Sequence, residues 1–510
     1  MELINLGEIP TSTKLGTLSR QELEQKYKVL EDELVRVVRE NYELRNQKIR
    51  TEQLDLIIKE QLETLEDKVF GRSSERYKKP VKKDGDGSEP KAPPKPRIKK
   101  PSERYPNIPI REEIIDMNPL PSCPCCGEVM MDSGMTEDSE QLTVIPKKYE
   151  IVVQKRKKYR CQCQGALITA PAPAKIIEGS SYSDEMIEDV ALSKYCDLIP
   201  INRYVAMAQR AGVSDLPAHS LIETTHEFSN FVSPVYTLLK QGVLDTRVLN
   251  ADETPHRMLE GDEKKSWYLW GFSTKEYCFL ECHDTRSGDV ASEILLQSKW
   301  EILMTDVFSG YGKAIKDANK TRLQNNLPLI RSAHCNAHVR RYFFKAWPKY
   351  KEAQFYLDHY HDVYQLNANT KGKSPPEILH LRAQMRPRFE AMKKKALEEL
   401  GSYPSKGKYG KALSYFLKNY ATLTLFLTDP EVPIDNNAQE RNLRSHVVGR
   451  KTWYGTHSKR GALTAAILFS IVETCKLNQV NPREYFSHLV HDLLVGAKPY
   501  TPKNFKEISP

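Results

Sequence analysis

The feature that most constrains the fold is a series of three carboxylates in different local contexts. Asp252 lies in an apolar run at residues 248–254, and Asp306 ends a second apolar run at 302–306. Both runs predict β-strands. Glu440 lies much later, in a polar segment that predicts a helix. Because carboxylate oxygens are the ligands that Mg²⁺ prefers, a sheet that brings these three residues together would create a site for a pair of metal ions.

The helix around Glu440 has a recognisable start. Asp435 follows a proline-containing loop and is placed to cap a helix that begins at Asn436. Asn436, Glu440 and Arg444 are spaced four residues apart, so they are expected to share one polar face. A solvated face with a Glu-Arg pair would give the same pattern. The two upstream aspartates favour the metal-site interpretation.

Composition limits the classes of protein to consider. The 510 residues are enough for three or more domains, and 76 Lys and Arg against 67 Asp and Glu give a net charge of +9, which favours an anionic partner. No apolar run reaches eighteen residues and residues 1–20 lack an apolar signal core, so we expect an unexported protein without membrane contact. Of ten cysteines, five lie between Cys123 and Cys163. This clustering indicates metal binding rather than disulfides.

The N-terminal segment, residues 1–76, is highly charged with apolar residues at heptad spacing. One heptad position holds Leu23, Leu30, Val37 and Leu44, and the other holds Tyr27, Leu34 and Asn41. The narrow apolar stripe predicts a coiled coil that forms a homodimer or higher homo-oligomer, rather than a lone amphipathic helix packed on its own domain. Residues 77–106 are rich in Lys and Pro and predict an extended basic linker that acts as a spacer or follows a phosphate backbone.

The clustered cysteines fall in residues 107–178, where two pairs flank a β-like segment at 141–159. We expect Zn²⁺ to be bound by Cys123, Cys126, Cys161 and Cys163, with Gly127 allowing the tight turn below the metal. The second pair has one intervening residue instead of two, so Cys125 is an alternative ligand, and unligated buried cysteines are the competing interpretation. This zinc-binding β module is a candidate DNA-backbone reader because it carries clustered cations: Lys155, Arg156, Lys157 and Lys158.

The rest of the chain predicts a helical domain followed by an α/β core. Residues 179–242 contain two helices around a Gly turn, which fits a helix-turn-helix DNA-binding domain or a helical pair that links domains. Two β-like runs at 266–272 and 277–282 and a short helix near 289–297 separate the two aspartate strands. This order, within a core at 243–475, is that of the ribonuclease H-like fold, in which the first and fourth strands are neighbours. A helical insertion is expected at about 320–430 and a C-terminal tail at 476–510. The fold class is therefore multidomain α+β.

Taken together, these motifs resemble a known family, the insertion-sequence sixty-six family (IS66-type) of bacterial DDE transposases. The resemblance is carried by a colinear series of short motifs over most of the chain: residues 70–76, the cysteine module, residues 193–197, 251–255, Asp306 with 310–311, 335–341, 435–444, 449–451 and 474–478.

The resemblance implies a metal-binding catalytic triad of Asp252, Asp306 and Glu440, with Mg²⁺ or Mn²⁺ as cofactor. Two ions would support cleavage at element ends and strand transfer into target DNA. His338 is a candidate for assisting at the phosphate or leaving group, although a histidine among aromatic residues is as often a packing residue. Candidate phosphate contacts are Arg340, Arg341, Arg441, Arg444, Arg450 and Lys451.

Two other functions fit parts of the pattern. A non-catalytic, zinc-dependent DNA-binding regulator would use the coil, zinc module and helix pair, but it would have no reason to keep three carboxylates. A ribonuclease H-like nuclease would cut without joining. The transposase interpretation also implies a location in the bacterial cytoplasm, associated with the nucleoid, and accessory transposition proteins as partners.

Overall fold

The computed structural model describes residues 100–115, 118, 120–132, 134–160, 166–259 and 266–508, together with Lys28, Asp32 and Arg36. These three residues are helical and exposed. The remainder of the predicted coiled coil, and the linker up to residue 99, lie outside the described residues. The described chain divides into a smaller unit, within Pro80–Lys155 and Ala208–Asp215, and a larger unit that holds Arg156–Met207 and Leu216–Pro510.

The smaller unit contains little regular structure among its described residues. It has a short helix, α1 (Pro101–Arg104), and an isolated bridge between Ser122 and Val129. The prediction of a β-like segment at 141–159 is wrong for 141–157, which forms no strand. The alternating apolar residues of this segment are exposed, and no strand in the described part of the chain pairs with them; a strand without a partner is not stable in water.

The larger unit begins with a two-stranded ribbon and three helices. Strands β1 (Lys158–Arg160) and β2 (Leu167–Thr169) pair antiparallel. The helical character predicted for 179–242 is confirmed, since helices α2 (Asp184–Tyr195), α3 (Ile201–Arg210) and α4 (Ala218–Leu244) follow. Ser183 caps α2, because its Oγ accepts a hydrogen bond from the amide of Met186. DNA reading by these helices stays a prediction.

A five-stranded mixed sheet forms the centre of the larger unit. Its strands are β3 (Val248–Arg257), β4 (Ser266–Ser273), β5 (Cys278–His283), β6 (Ile302–Thr305) and β7 (Arg331–His334), and their order across the sheet is β5-β4-β3-β6-β7. The hairpin strands β3, β4 and β5 are antiparallel, whereas β3, β6 and β7 are parallel. The predicted adjacency of the first and fourth strands is therefore confirmed. Crossovers run through α5 (Gly288–Gln297) and α6 (Ser309–Gln324).

The helical insertion starts later than predicted. Residues 331–334 form the edge strand β7, so the insertion covers 336–427 rather than about 320–430. The strand was missed because it has four residues and only Ala333 is buried, which leaves no apolar run to recognise. The insertion contains α7 (Asn336–Ala346), α8 (Ala353–Ala368), α9 (Pro375–Ala383), α10 (Arg386–Glu399), α11 (Lys408–Lys418), α12 (Tyr420–Leu423) and a 3₁₀ turn (Leu425–Leu427). It packs around its own aromatic core.

The chain ends in four helices, α13 (Asn437–Trp453), α14 (Lys459–Asn478), α15 (Pro482–Leu494) and α16 (Pro502–Ile508). The predicted tail at 476–510 is therefore wrong, because α15 and α16 bury aromatic side chains such as Tyr485 and Phe505 in the core. Helix α14 has the length and composition of a membrane span, yet 78% of its apolar stretch is buried inside the protein. It is the core helix packed on β5 and α4.

Helices cover both faces of the sheet, and strand alternation assigns each side chain to a face. On β3, Leu249 and Ala251 join the core that includes α5 and α6. Asn250 and Asp252 therefore point to the opposite face. There α13 packs on β3 and β4. The two faces of β3 thus differ: one is apolar, and the other is polar near its centre.

Candidate active site

Strand register brings the two aspartates together. In the parallel pair of β3 and β6, Asn250 lies opposite Met304. Two positions further along, the same register aligns Asp252 with Asp306, the residue that follows β6. Ile302 and Met304 belong to the core of the insertion and Leu303 to the core of α5 and α6. By the same alternation Asp306 lies on the face of the sheet that Asp252 occupies.

Asn436 joins the start of α13 to β3 beside Asp252. Its Nδ2 donates to the carbonyl of Ala251 at 2.8 Å, and its Oδ1 accepts from Nδ2 of Asn250 at 2.9 Å. Asp435 accepts a hydrogen bond from the amide of Asn437 at 3.1 Å, as predicted, but the N-cap residue is Asn436 rather than Asp435. The helix begins at Asn437, one residue later than predicted. One turn beyond Asn436, Glu440 is consequently held over the sheet.

Gly271 lets α13 approach the sheet closely. It lies on β4 directly opposite Asp252. A Cβ atom built at this position would collide with Nε2 of Gln439 and would also press on Leu443 of the same helix. A side chain at position 271 would therefore displace the end of the Gln439 side chain and crowd Leu443, both on the helix that carries Glu440.

The face of α13 that meets the sheet is unusually polar. Asn436, Gln439, Asn442 and His446 are all buried, whereas Arg444 is exposed. The predicted single polar face is therefore replaced by polar residues on both sides of the helix. His446 Nε2 lies 3.2 Å from Nδ1 of His256. Burial lowers the pKa of His256 to about 4, so this pair is neutral at physiological pH.

Glu440 is surrounded by residues from the start of α7. Its Oε1 lies 3.8 Å from Nδ1 of His338, and its Oε2 lies 3.9 Å from Nη2 of Arg341. Both separations are too long for hydrogen bonds. Within the described residues, Oε1 of Glu440 and Nδ1 of His338 are buried without a hydrogen-bond partner. The Sγ atom of Cys335 lies in the same cluster.

The acidic side chains of this region affect one another electrostatically. The pKa of Asp252 is raised to about 8, first by burial and then by the negative charges of Glu253, Asp306 and Glu440. At neutral pH the cluster thus resists holding three negative charges. A cation between the carboxylates would remove this repulsion.

Glu253 forms a different arrangement on the other face of β3. Its side chain is 1% exposed and pairs with Nη2 of Arg286 at 2.6 Å. It also accepts a hydrogen bond from the hydroxyl of Tyr311 at 2.6 Å. Sequence reasoning overlooked this carboxylate. Its position next to Asp252 on a strand indicates that it faces the other way, but nothing in the sequence indicates that Arg286 and Tyr311 are its partners.

Cys335 and Asn436 are two further residues that the sequence reasoning did not assign to the site. The Sγ atom of Cys335 accepts the backbone amide of Asn436 at 3.2 Å, so the start of the insertion contacts the start of α13. The signal for Cys335 was the spacing Cys335-x-x-His338, which places both side chains on one side of a helix start. His334, at the end of β7, has a pKa lowered by burial and lies near Asp306.

The candidate DNA-contacting cations lie at several places. Arg340 and Arg341 are on α7 with His338, as predicted, and are half-buried. Arg441, Arg444 and Lys451 are exposed on α13, whereas Arg450 is half-buried and its pKa is lowered by burial. The cations of the zinc module are all exposed: Lys155, Arg156, Lys157 and Lys158.

Only the first half of the predicted zinc site can be described. Cys123 to Gly127 form a tight turn in which the amide of Gly127 donates to the carbonyl of Cys123 at 2.9 Å, and Gly127 has φ of +79°. Hydrogen bonds from Cys125 and Cys126 lower the pKa of the Cys123 thiol. Cys161 and Cys163 lie outside the described residues.

Comparison with known proteins gives the family. A model of the transposase IS66 family matches residues 179–464, which is more than half of the chain. Three similar proteins come from Sinorhizobium fredii (strain NBRC 101917 / NGR234), and all are uncharacterized. The protein y4qI is 27% identical over 82% of this chain and 79% of its own length. The protein y4hP is 24% identical over 75% and 72%, and y4jD is 24% identical over 74% and 75%. The chain belongs to the IS66 family of transposases.

Proposed function

We propose that the chain is a DDE transposase that cleaves DNA at the ends of an insertion sequence and transfers the strand into target DNA. Asp252, Asp306 and Glu440 would hold two Mg²⁺ or Mn²⁺ ions. The proposal is supported by the elements on which the three carboxylates lie. Two come from neighbouring parallel strands in register, and the third comes from a helix that Asn436 joins to the same strand. The strand order further supports a ribonuclease H-like core.

The residues fit divalent metal ions. The donor set is three carboxylates, and hard cations such as Mg²⁺ take oxygen ligands. Glu440 has a buried oxygen without a hydrogen-bond partner among the described residues, and the pKa of Asp252 is raised first by burial and then by the neighbouring acids. Both features are those of a site that a cation completes. When bound, the ions would polarise the scissile phosphate and stabilise charge on the leaving oxygen.

The protein's own residues would bind and orient the DNA strand at this point. Arg441 and Arg444 project from the exposed side of α13, where their guanidinium groups can hold phosphates. Arg341 lies on the other side of Glu440 and can partly offset its charge. His338 is held within 3.8 Å of Glu440, so it would restrict the orientation of that carboxylate or exchange a proton near the phosphate.

The cysteine module and the N-terminal segment would supply DNA binding and oligomer assembly. We propose that the cysteine module binds Zn²⁺ through Cys123, Cys126, Cys161 and Cys163, or through Cys125 in place of one of them, and that its exposed cations contact the DNA backbone. The N-terminal segment would form a homodimer or higher homo-oligomer. Such a protein acts on DNA in the bacterial cytoplasm and would work with accessory transposition proteins.

The test is a cleavage and joining assay with labelled DNA that contains the element end, in Mg²⁺. The full chain should cut the end and join it to a target duplex. Glu440→Gln should bind the end with nearly unchanged affinity, because most binding surfaces lie elsewhere, but it should neither cut nor join. Binding without cleavage by the unaltered chain would indicate a regulator, and cleavage without joining would indicate a nuclease. Cleavage retained by Glu440→Gln would refute the site assignment.

A further inference from the structure

A second ligand set overlaps the acidic site. The Sγ atom of Cys335, Nδ1 of His338 and an oxygen of Glu440 all lie within 4.8 Å of one another. Cys335 and His338 are three residues apart at the start of α7, a spacing that places them on one side of the helix start. Glu440 reaches them from α13. The three groups come from two elements that Asn436 links to each other and to β3.

Two atoms of this cluster lack hydrogen-bond partners. Nδ1 of His338 and Oε1 of Glu440 are buried and unpaired among the described residues, and they lie 3.8 Å apart. A buried polar atom without a partner destabilises a fold. The separation is close to the ~3.4 Å expected between two ligands about 2.05 Å from one tetrahedral metal. A cation between these atoms would satisfy both.

The chemistry of the donors selects the metal. A set of sulfur, imidazole nitrogen and one carboxylate oxygen suits Zn²⁺, which accepts all three, whereas Mg²⁺ requires oxygen ligands. The backbone amide of Asn436 already donates to Sγ of Cys335 at 3.2 Å. Such outer hydrogen bonds orient and stabilise metal-bound ligands. His338 and Glu440 have side chains that are 25% and 30% exposed, so an ion can enter and a water molecule can complete the tetrahedron.

We propose that Cys335, His338 and Glu440 form a Zn²⁺ site that regulates the transposase by withdrawing Glu440 from Asp252 and Asp306. On binding, the thiol of Cys335 releases its proton to solvent and the thiolate coordinates zinc, while Oε1 of Glu440 becomes a second ligand. Glu440 cannot then complete the Mg²⁺ site. The inference rests on the proposed function, because the withdrawn residue is the one assigned there to Mg²⁺.

Zinc would be held at this site by coordination alone, without a covalent change to the protein. Zinc inhibition should therefore be reversed by a chelator.

Binding and inhibition are measured separately on the full chain. The first readout is the uptake of Co²⁺, a zinc substitute that absorbs in the near ultraviolet when bound to thiolate, together with the stoichiometry of bound Zn²⁺. Cys335→Ser should bind one equivalent fewer and lose part of the thiolate band, while the cysteine module contributes equally to both proteins. Cys278→Ser is the matched control, since Cys278 is also buried but lies away from the cluster on β5.

The second readout is Mg²⁺-dependent cleavage during zinc titration, with each variant normalised to its own rate without zinc. Cys335→Ser should require at least about tenfold more zinc for half inhibition, since even loss of an outer partner of a metal ligand weakens binding by ~10–100-fold. Equal inhibition of both proteins, or equal metal uptake and identical Co²⁺ spectra, would overturn the proposal.

Two further outcomes are distinguishable. If Cys335→Ser does not fold, His338→Ala is compared by metal uptake alone and should show the same loss of one equivalent; unchanged uptake would again overturn the site. If the unaltered chain binds the extra equivalent but never cleaves DNA, the proposed function fails while the zinc site stands.

Discussion

Asp252 and Glu253 are neighbours on β3, yet their side chains have opposite electrostatic surroundings. Glu253 is buried against Arg286 and the hydroxyl of Tyr311, so its negative charge is compensated. Asp252 faces Asp306 and Glu440 and is compensated by neither. The fold thus pairs Glu253 with a cation and leaves Asp252 without one, which is the difference expected between a structural acid and the metal ligand proposed above.

The largest expected effect on DNA cleavage comes from replacing the carboxylate of Asp252 with an amide, and the same replacement at Glu253 is its comparison. Asp252→Asn should lower DNA cleavage at least about 1000-fold, because a metal ligand that stabilises transition-state charge is lost. Glu253→Gln should keep cleavage within about tenfold, because its side chain lies on the other face of β3. The measurement is single-turnover cleavage of end DNA. Equal losses of cleavage in the two variants would show that the two acids do not differ in role.

A second prediction concerns the distance between helix and sheet. Gly271→Ala should lower cleavage by up to about tenfold, because the added Cβ displaces the side chain of Gln439 and crowds Leu443 on the helix that carries Glu440. The matched control is Gly312→Ala on α6, where a Cβ meets no atom within 4 Å. The control should cleave normally. Normal cleavage by Gly271→Ala would show that the position of α13 is not critical.

A third prediction tests the ion pair between Glu253 and Arg286. Arg286→Met should lower the free energy of unfolding by about 2 kcal/mol, because Glu253 would remain buried without its cation. The value is below the ~3–5 kcal/mol typical of fully buried pairs because the Arg286 side chain is 46% exposed. Lys313→Met, which removes an exposed pair with Asp289, is expected to change stability by at most ~0.5 kcal/mol. Urea denaturation gives both values, and similar values for the two variants would contradict the argument.

A fourth prediction concerns the pH dependence of stability. The pKa of Asp252 is about 8 in the folded protein and about 4 when unfolded, so between these values the folded state binds more protons. Stability contributed by this group is fully present below pH ~4 and is lost as the pH rises towards 8. Unfolding curves without metal should show this slope, and Asp252→Asn should reduce it. Glu188, whose pKa is raised to about 7 by burial, contributes in the same direction to both proteins. Identical slopes would exclude Asp252 as the source.

The sequence predicted the parts of the site that depend on local patterns. Asp252 and Asp306 each follow apolar strand residues, and the order of elements between them was sufficient to place β3 beside β6. It did not predict β7, since a four-residue strand with one buried side chain has no periodicity. The roles of Gly271 and Asn436 were also hidden, because they depend on which helix packs on which strand. Local propensity contains no information about such tertiary contacts.

Hydrogen bonds hold the two ends of the helical insertion together. Asn336 begins it, and this residue's backbone amide and Nδ2 both donate to the carbonyl of Ile434, just before α13. The two ends of an excursion of roughly a hundred residues are thus fastened to each other. Because closing a longer loop costs little more than closing a shorter one, the part of the insertion beyond α7 can change length or be exchanged without moving Glu440. The chain can acquire a new accessory domain there while His338 and Arg341 on α7 keep their positions beside Glu440.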